Sequence, residues 1–168
     1  MSLADDPDLD STELLRRLTA RGVDFIVIGG IAAVMHGSAR VTQDLDIRFA
    51  TDEANLSALG HVLTGLNARL RGVDDDGPFV ADARTLRNVE VLTLLTELGP
   101  LDVLARPAGA PSYERMRRRA DRFELEDFSV LVAAIDDLVA MKLAAGRKKD
   151  LADIAELQTI TRLRGRGR

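Results

Sequence analysis

The chain of 168 residues has no cysteine, no tryptophan, one tyrosine and two histidines. Without cysteine there can be no disulfide, no zinc–thiolate site and no thiol nucleophile, and a cytoplasmic setting is the expectation. Aromatic residues make up only 4%, so the core has to be built from Leu, Val, Ile and Ala. No apolar run approaches the roughly 20 residues that span a bilayer, so no membrane partner is expected. The acidic start, with Asp5, Asp6, Asp8 and Asp10, has neither the basic nor the apolar region of a signal peptide. His36 and His61 are far apart and show no metal-ligand spacing.

With 46% apolar and 30% charged residues, the composition is that of a globular domain large enough to bury an ordinary core. The net charge of −4 argues against a general nucleic-acid binder, but the cations are clustered. One cluster is Arg115, Arg117, Arg118, Arg119 and Arg122, a second is Arg147, Lys148 and Lys149, and the third is Arg162, Arg164, Arg166 and Arg168. They fit a phosphate-tracking surface, and equally a set of solvated helix faces with a frayed tail.

Periodicity and turn residues predict an α+β fold: a small mixed sheet flanked by helices, followed by C-terminal helices. The expected division is a disordered N-terminus over 1–10, a core over 11–134, a helical part over 135–160 and a basic tail over 161–168. Ser11 or Thr12 is expected to cap a first helix, and Phe25 to Ile28 reads as a buried strand that Gly29-Gly30 ends. A short helix over Ile31 to Met35 and a strand over Leu45 to Phe49 follow, then a helix capped by Thr51 or Asp52. Residues 72–78, with Asp74-Asp75-Asp76, read as a loop. Strands over 88–97 and 101–105 should be joined by a turn at Gly99-Pro100. After a helix near 112–119, residues 123–132 read as extended. A helix from Asp136 or Asp137 and another over Leu151 to Ile160 are separated by Gly146, unless the helix runs through it.

Three local patterns carry chemistry. Gly29-Gly30 at a strand-to-helix turn lets backbone N–H groups approach a phosphate, although many tight turns use two glycines for packing alone. In Asp44-Leu45-Asp46-Ile47, alternate residues of a strand share a side, so the two carboxylates face one way. Each raises the other's proton affinity unless a cation lies between them, and a hard ion such as Mg²⁺ or Mn²⁺ relieves that cost. A solvent-facing edge, or salt bridges to Arg40 or Arg48, would explain the pair equally well. Asp102 is a lone acid in an apolar strand. If that strand neighbours the first, three carboxylates converge to hold one or two metals, and one acid can take a proton from an attacking hydroxyl. A turn-capping role is the alternative.

In order, Ile28-Gly29-Gly30, thirteen residues, Asp44-Leu45-Asp46-Ile47 and a later Asp102 resemble the signature of the DNA polymerase β-like nucleotidyltransferases. With His36-Gly37, Arg40, Thr42 and the stretch Met141 to Ile154, the chain resembles more narrowly the stand-alone bacterial AbiEii and MenT toxins. That resemblance implies the nucleotidyltransferase fold, an NTP substrate, Mg²⁺ or Mn²⁺ on Asp44, Asp46 and Asp102, and transfer of a nucleoside monophosphate with release of pyrophosphate. It implies Lys142 as the residue that meets the triphosphate, with Asp150 or Asp153 orienting it or the substrate. Catalytic roles are thus expected of Asp44, Asp46, Asp102 and Lys142. Nucleotide contacts are expected of Gly29, Gly30, Ser38, Arg40, Lys142, Asp150 and Asp153. On a continuous helix, Lys142, Lys149 and Asp153 would align. Arg40 would touch the triphosphate or pair with Asp44, and His36 would contact nucleotide or end a helix. Ile31 departs from the Ser or Thr that many superfamily members place after the glycines.

The resemblance implies a tRNA or protein acceptor and a cognate antitoxin. A small-molecule, antibiotic-type acceptor is the alternative, and an inert binding protein on the same fold is a third reading. Three intact acids argue against the last.

Overall fold

The computed structural model describes residues 6–73 and 79–167. The Asp74-Asp75-Asp76 portion of the expected loop, residues 1–5 and Arg168 lie outside the described residues.

The first helix, α1 (Ser11–Ala20), is capped one residue earlier than expected. Asp10 takes that place, accepting from Glu13 N (3.0 Å) and satisfying an otherwise unpaired N-terminal donor. Leu9 packs against the core and Asp10 N donates to Leu98 O (2.9 Å). The end of the segment expected to be disordered is therefore docked. Leu14, Leu15 and Leu18 form the buried stripe of α1.

Among the described residues, one seven-stranded mixed sheet has the order β3-β4-β5-β2-β1-β7-β6. Its centre is β1 (Phe25–Ile28), buried at all four residues, as a short unbroken apolar run requires. It pairs antiparallel with β2 (Leu45–Phe49) and parallel with β7 (Ser129–Val132). On its other side β2 runs parallel to β5 (Gly99–Leu104). β5 forms a hairpin with β4 (Val91–Thr96), and β3 (Arg69–Leu70) pairs with β4. The run expected to be one extended stretch is a hairpin of β6 (Asp121–Glu124) and β7, closed by Leu125 N donating to Phe128 O (2.8 Å).

The β4–β5 turn falls at Glu97-Leu98, not at Gly99-Pro100, which already belong to β5. Thr96 moves it: its hydroxyl accepts from Leu98 N (3.1 Å) and donates to Gly99 O (2.8 Å). Asp102 consequently stands in mid-strand.

Helix α2 (Gly29–Met35) starts on the glycines themselves, and α3 (Glu53–Gly65) is capped by Asp52. Helices α4 (Ala83–Arg87) and α5 (Tyr113–Arg119) are short. Fully burying each of Leu14, Leu56, Leu59 and Leu63 contributes about 1.5–3 kcal/mol, which holds α1 and α3 to the sheet despite the scarcity of aromatics.

The C-terminal part is two helices, α6 (Ile135–Ala145) and α7 (Asp150–Gly165). Gly146, at φ +64°, closes α6 in the left-handed region, so the continuous helix that would align Lys149 with Lys142 does not exist. The expected frayed tail is also helical as far as Gly165.

Candidate active site

Adjacent strands bring the acids together. The register pairs Asp46 of β2 with Asp102 of β5, so both project from one face, and Asp44 reaches the same place from the bend just before β2. One oxygen from each lies within 4.8 Å of the others. Neither a solvent-facing edge nor salt bridges to Arg40 or Arg48 explain the pair. Arg48 is buried and donates to two carbonyls, Ala105 O (3.2 Å) and Pro111 O (2.7 Å). That ties the acidic strand to the loop after β5.

Burial and the charges of Asp44 and Asp102 push the Asp46 carboxyl up to about 8, and Arg71 only partly offsets this. A side-chain hydrogen bond with Asp102 acts in the same direction on Asp46. The Asp102 carboxyl is itself raised, by burial against the opposing pull of Arg71. Arg71 Nη2 donates to Asp102 Oδ1 at 3.0 Å and lies 3.9 Å from Asp44 Oδ2. Nothing in the local sequence marks Arg71, because only the pairing across three strands brings it here.

The glycine turn fits against these acids. Gly29 has φ +69°, and a Cβ there would lie 2.1 Å from Asp46 Oδ2; a Cβ on Gly30 would lie 2.8 Å from Thr42 Oγ1. The pair of glycines thus lets the turn close on the acidic strand, a packing demand legible only in three dimensions. Thr42 Oγ1 donates to Asp44 O (3.2 Å) and holds the approach to β2.

A second polar cluster joins α6 to α7. Lys142 Nζ lies 3.2 Å from Asp153 Oδ2 and 3.6 Å from Asp150 Oδ1. The turn at Gly146 achieves this contact, not a continuous helical face. Asp150 is 1% exposed, and Arg147 grips both its oxygens (2.8 and 3.2 Å), holding its carboxyl below the ordinary value. Arg40 pairs with Asp153, not with Asp44. Ser38 is engaged in its own turn, its hydroxyl accepting from Arg40 N (3.2 Å).

His36 is buried. A carbonyl only accepts and a guanidinium only donates, so Nε2–H donates to Ala133 O (2.9 Å) and Nδ1 accepts from Arg164 (3.1 Å). It ends α2, and both its ring nitrogens are engaged within the protein. Much of the basic surface is likewise engaged: Arg117 with Asp24, Arg119 with Asp137, Arg122 with Glu124 and Arg164 with His36.

This sheet, with its acids beside a glycine turn, is that of the nucleotidyltransferases. The lincosamide antibiotic adenylyltransferase LnuA, lincomycin-bound, matches with TM-score 0.57 at 16% identity, over 91% of this chain and 99% of that one. An antigenic nucleotidyltransferase-like protein from Paracoccidioides brasiliensis gives 0.59 at 18%, over 93% and 78%. ANT(2")-Ia in complex with adenylyl-2"-tobramycin gives 0.54 at 12%, over 94% and 96%. No curated protein matches. The family described as nucleotidyl transferase AbiEii toxin, type IV toxin–antitoxin system, matches residues 13–166, and the chain belongs to that family. It is an NTP-dependent nucleotidyltransferase. Among the described residues no helix is long and apolar enough to cross a membrane.

Proposed function

We propose that the chain transfers a nucleoside monophosphate to tRNA or a protein, as the toxin of a toxin–antitoxin pair, with a divalent ion held by Asp44, Asp46 and Asp102. The observation that carries the metal assignment is the convergence of three carboxylates within 4.8 Å on one sheet face. Three hard oxygen donors under mutual repulsion suit Mg²⁺ or Mn²⁺. When bound, such an ion neutralises the phosphates and lowers the proton affinity of an attacking hydroxyl.

The chain's own residues supply the rest. Once deprotonated, Asp102 accepts the hydroxyl proton, and Asp46 and Asp44 would hold the ion. Gly29 and Gly30, packed on Asp46 and Thr42, leave room for backbone N–H groups to approach a phosphate. Lys142 and Arg40, held in place by Asp153 and Asp150, bring positive charge to the triphosphate as pyrophosphate leaves. Ser38 holds the backbone of Arg40 in the turn that presents it. The family's toxin membership favours a macromolecular acceptor. One observation favours a small-molecule acceptor: the chain spans nearly the whole of two antibiotic-modifying enzymes.

The test is incubation with each labelled NTP and Mg²⁺, together with total tRNA, cell lysate or a panel of aminoglycosides and lincosamides. Label on RNA or protein is the expected result, and label on an antibiotic alone would favour the second reading. Asp46→Ala should lower transfer by more than the roughly 10–100-fold that loss of an outer-shell metal partner costs. Undiminished transfer by that variant would sink the mechanism.

A further inference from the structure

Arg71 sits inside the carboxylate cluster. It follows β3, and its N–H donates to Thr93 O (3.0 Å), extending the β3–β4 pairing by one residue. Thr93 stands opposite Asp102, and Asp102 opposite Asp46. Laterally paired residues share a face, so Arg71, Thr93, Asp102 and Asp46 form one row across four strands. Thr93 is short, and the Arg71 side chain crosses it to reach Asp102 Oδ1 at 3.0 Å and to lie 3.9 Å from Asp44 Oδ2. The Arg71 side chain is 30% exposed.

Building on the metal-site reading, we propose that Arg71 is a resident counter-ion that competes with the divalent cation for Asp102 and Asp44, so that metal binds well only together with the nucleotide. A guanidinium is always charged and offers five donors in a fixed fork. Where it engages Asp102, it takes up an oxygen the metal needs, and the two cations repel across a short distance. The triphosphate removes the conflict. Its oxygens suit the same fork, so Arg71 can leave the carboxylate for a phosphate as the metal arrives. Arg71 is therefore a positioning residue for metal entry, and it makes the site selective for the metal–nucleotide complex over the free ion.

The test is binding of Mn²⁺ alone to the full chain, read from the loss of the free Mn²⁺ resonance signal. Arg71→Met keeps the length and removes the charge, and it should bind Mn²⁺ on the order of tenfold more tightly, a factor that corresponds to about 1.4 kcal/mol. Arg71→Lys keeps a cation and should stay near the wild-type affinity. A purely structural arginine would weaken metal binding when lost, so equal or weaker binding by Arg71→Met overturns the inference while leaving the metal site intact. Mn²⁺ binding that survives Asp102→Asn and Asp46→Asn together would instead overturn the metal-site reading on which the inference rests. So would the absence of binding in both wild type and Arg71→Met at millimolar Mn²⁺.

Discussion

At the scale of single residues, Gly29 is the most constrained position in the site. Its left-handed backbone excludes most side chains at a cost of about 1–2 kcal/mol, and a methyl group there would collide with Asp46 Oδ2 at 2.1 Å. A flexible carboxylate can move, but only by leaving its place beside Asp102. Gly29→Ala is therefore expected to lower transfer at least tenfold while costing about 1–2 kcal/mol of stability, measured by labelled-NTP turnover and urea unfolding on the same preparation. Full activity in a folded Gly29→Ala protein would show that Asp46 does not need its observed position. Arg48 shows the opposite constraint. A charged residue in a strand reads as an ion-pair partner, yet here it bonds only carbonyls among its oxygen acceptors, and its burial was not legible from a segment of alternating acids and apolars.

At the scale of elements, α7 is tied to the segment after α2 along one face. Asp153 pairs with Arg40, Glu156 accepts from Ala39 N (3.0 Å), Ile160 lies against Gly37, and Arg164 donates to His36 Nδ1 and O. The spacing of 153, 156, 160 and 164 is that of a single helical stripe. This strap joins the helix bearing Asp150 and Asp153 to the element that starts on Gly29. Arg164→Ala leaves the buried Nδ1 of His36 without a donor, and an unsatisfied buried acceptor costs about 1–3 kcal/mol. The urea midpoint should fall accordingly, more than for Glu156→Ala, whose partner is an exposed backbone N–H. Equal effects of the two substitutions would mean that the His36 contact adds nothing to the strap.

For the whole molecule, the metal-free protein is expected to lose stability as pH rises. Asp46 holds its proton up to about 8 in the folded chain, whereas the unfolded chain releases it near the ordinary carboxylate value of about 4. Between those limits the folded state binds the extra proton, so stability is fully present at the acidic end and declines until about pH 8. The raised carboxyls of Asp102 and Asp137 act in the same direction. Urea midpoints in EDTA from pH 5 to 9 should therefore fall, and Asp46→Asn should flatten the decline. A wild-type midpoint that rises across this range would contradict the burial of Asp46.

The local code was sufficient for much of this protein. The apolar run of β1 and the alternation of β2 predicted an α+β fold, and the resemblance carried by the two glycines and the order of the three acids implied the nucleotidyltransferase class; the sheet and the family match bear out both. Those features are short-range, set by residue spacing within one or two elements. What the tertiary structure alone decided came from distant segments meeting. Arg71 reaches Asp102 because β4 lies between their strands, and Lys142 meets Asp153 because Gly146 folds α7 back. Gly29 packs on Asp46 because β1 and β2 are neighbours. The sequence supplied three acids in order; the sheet register brought them together and decided which cation stands among them.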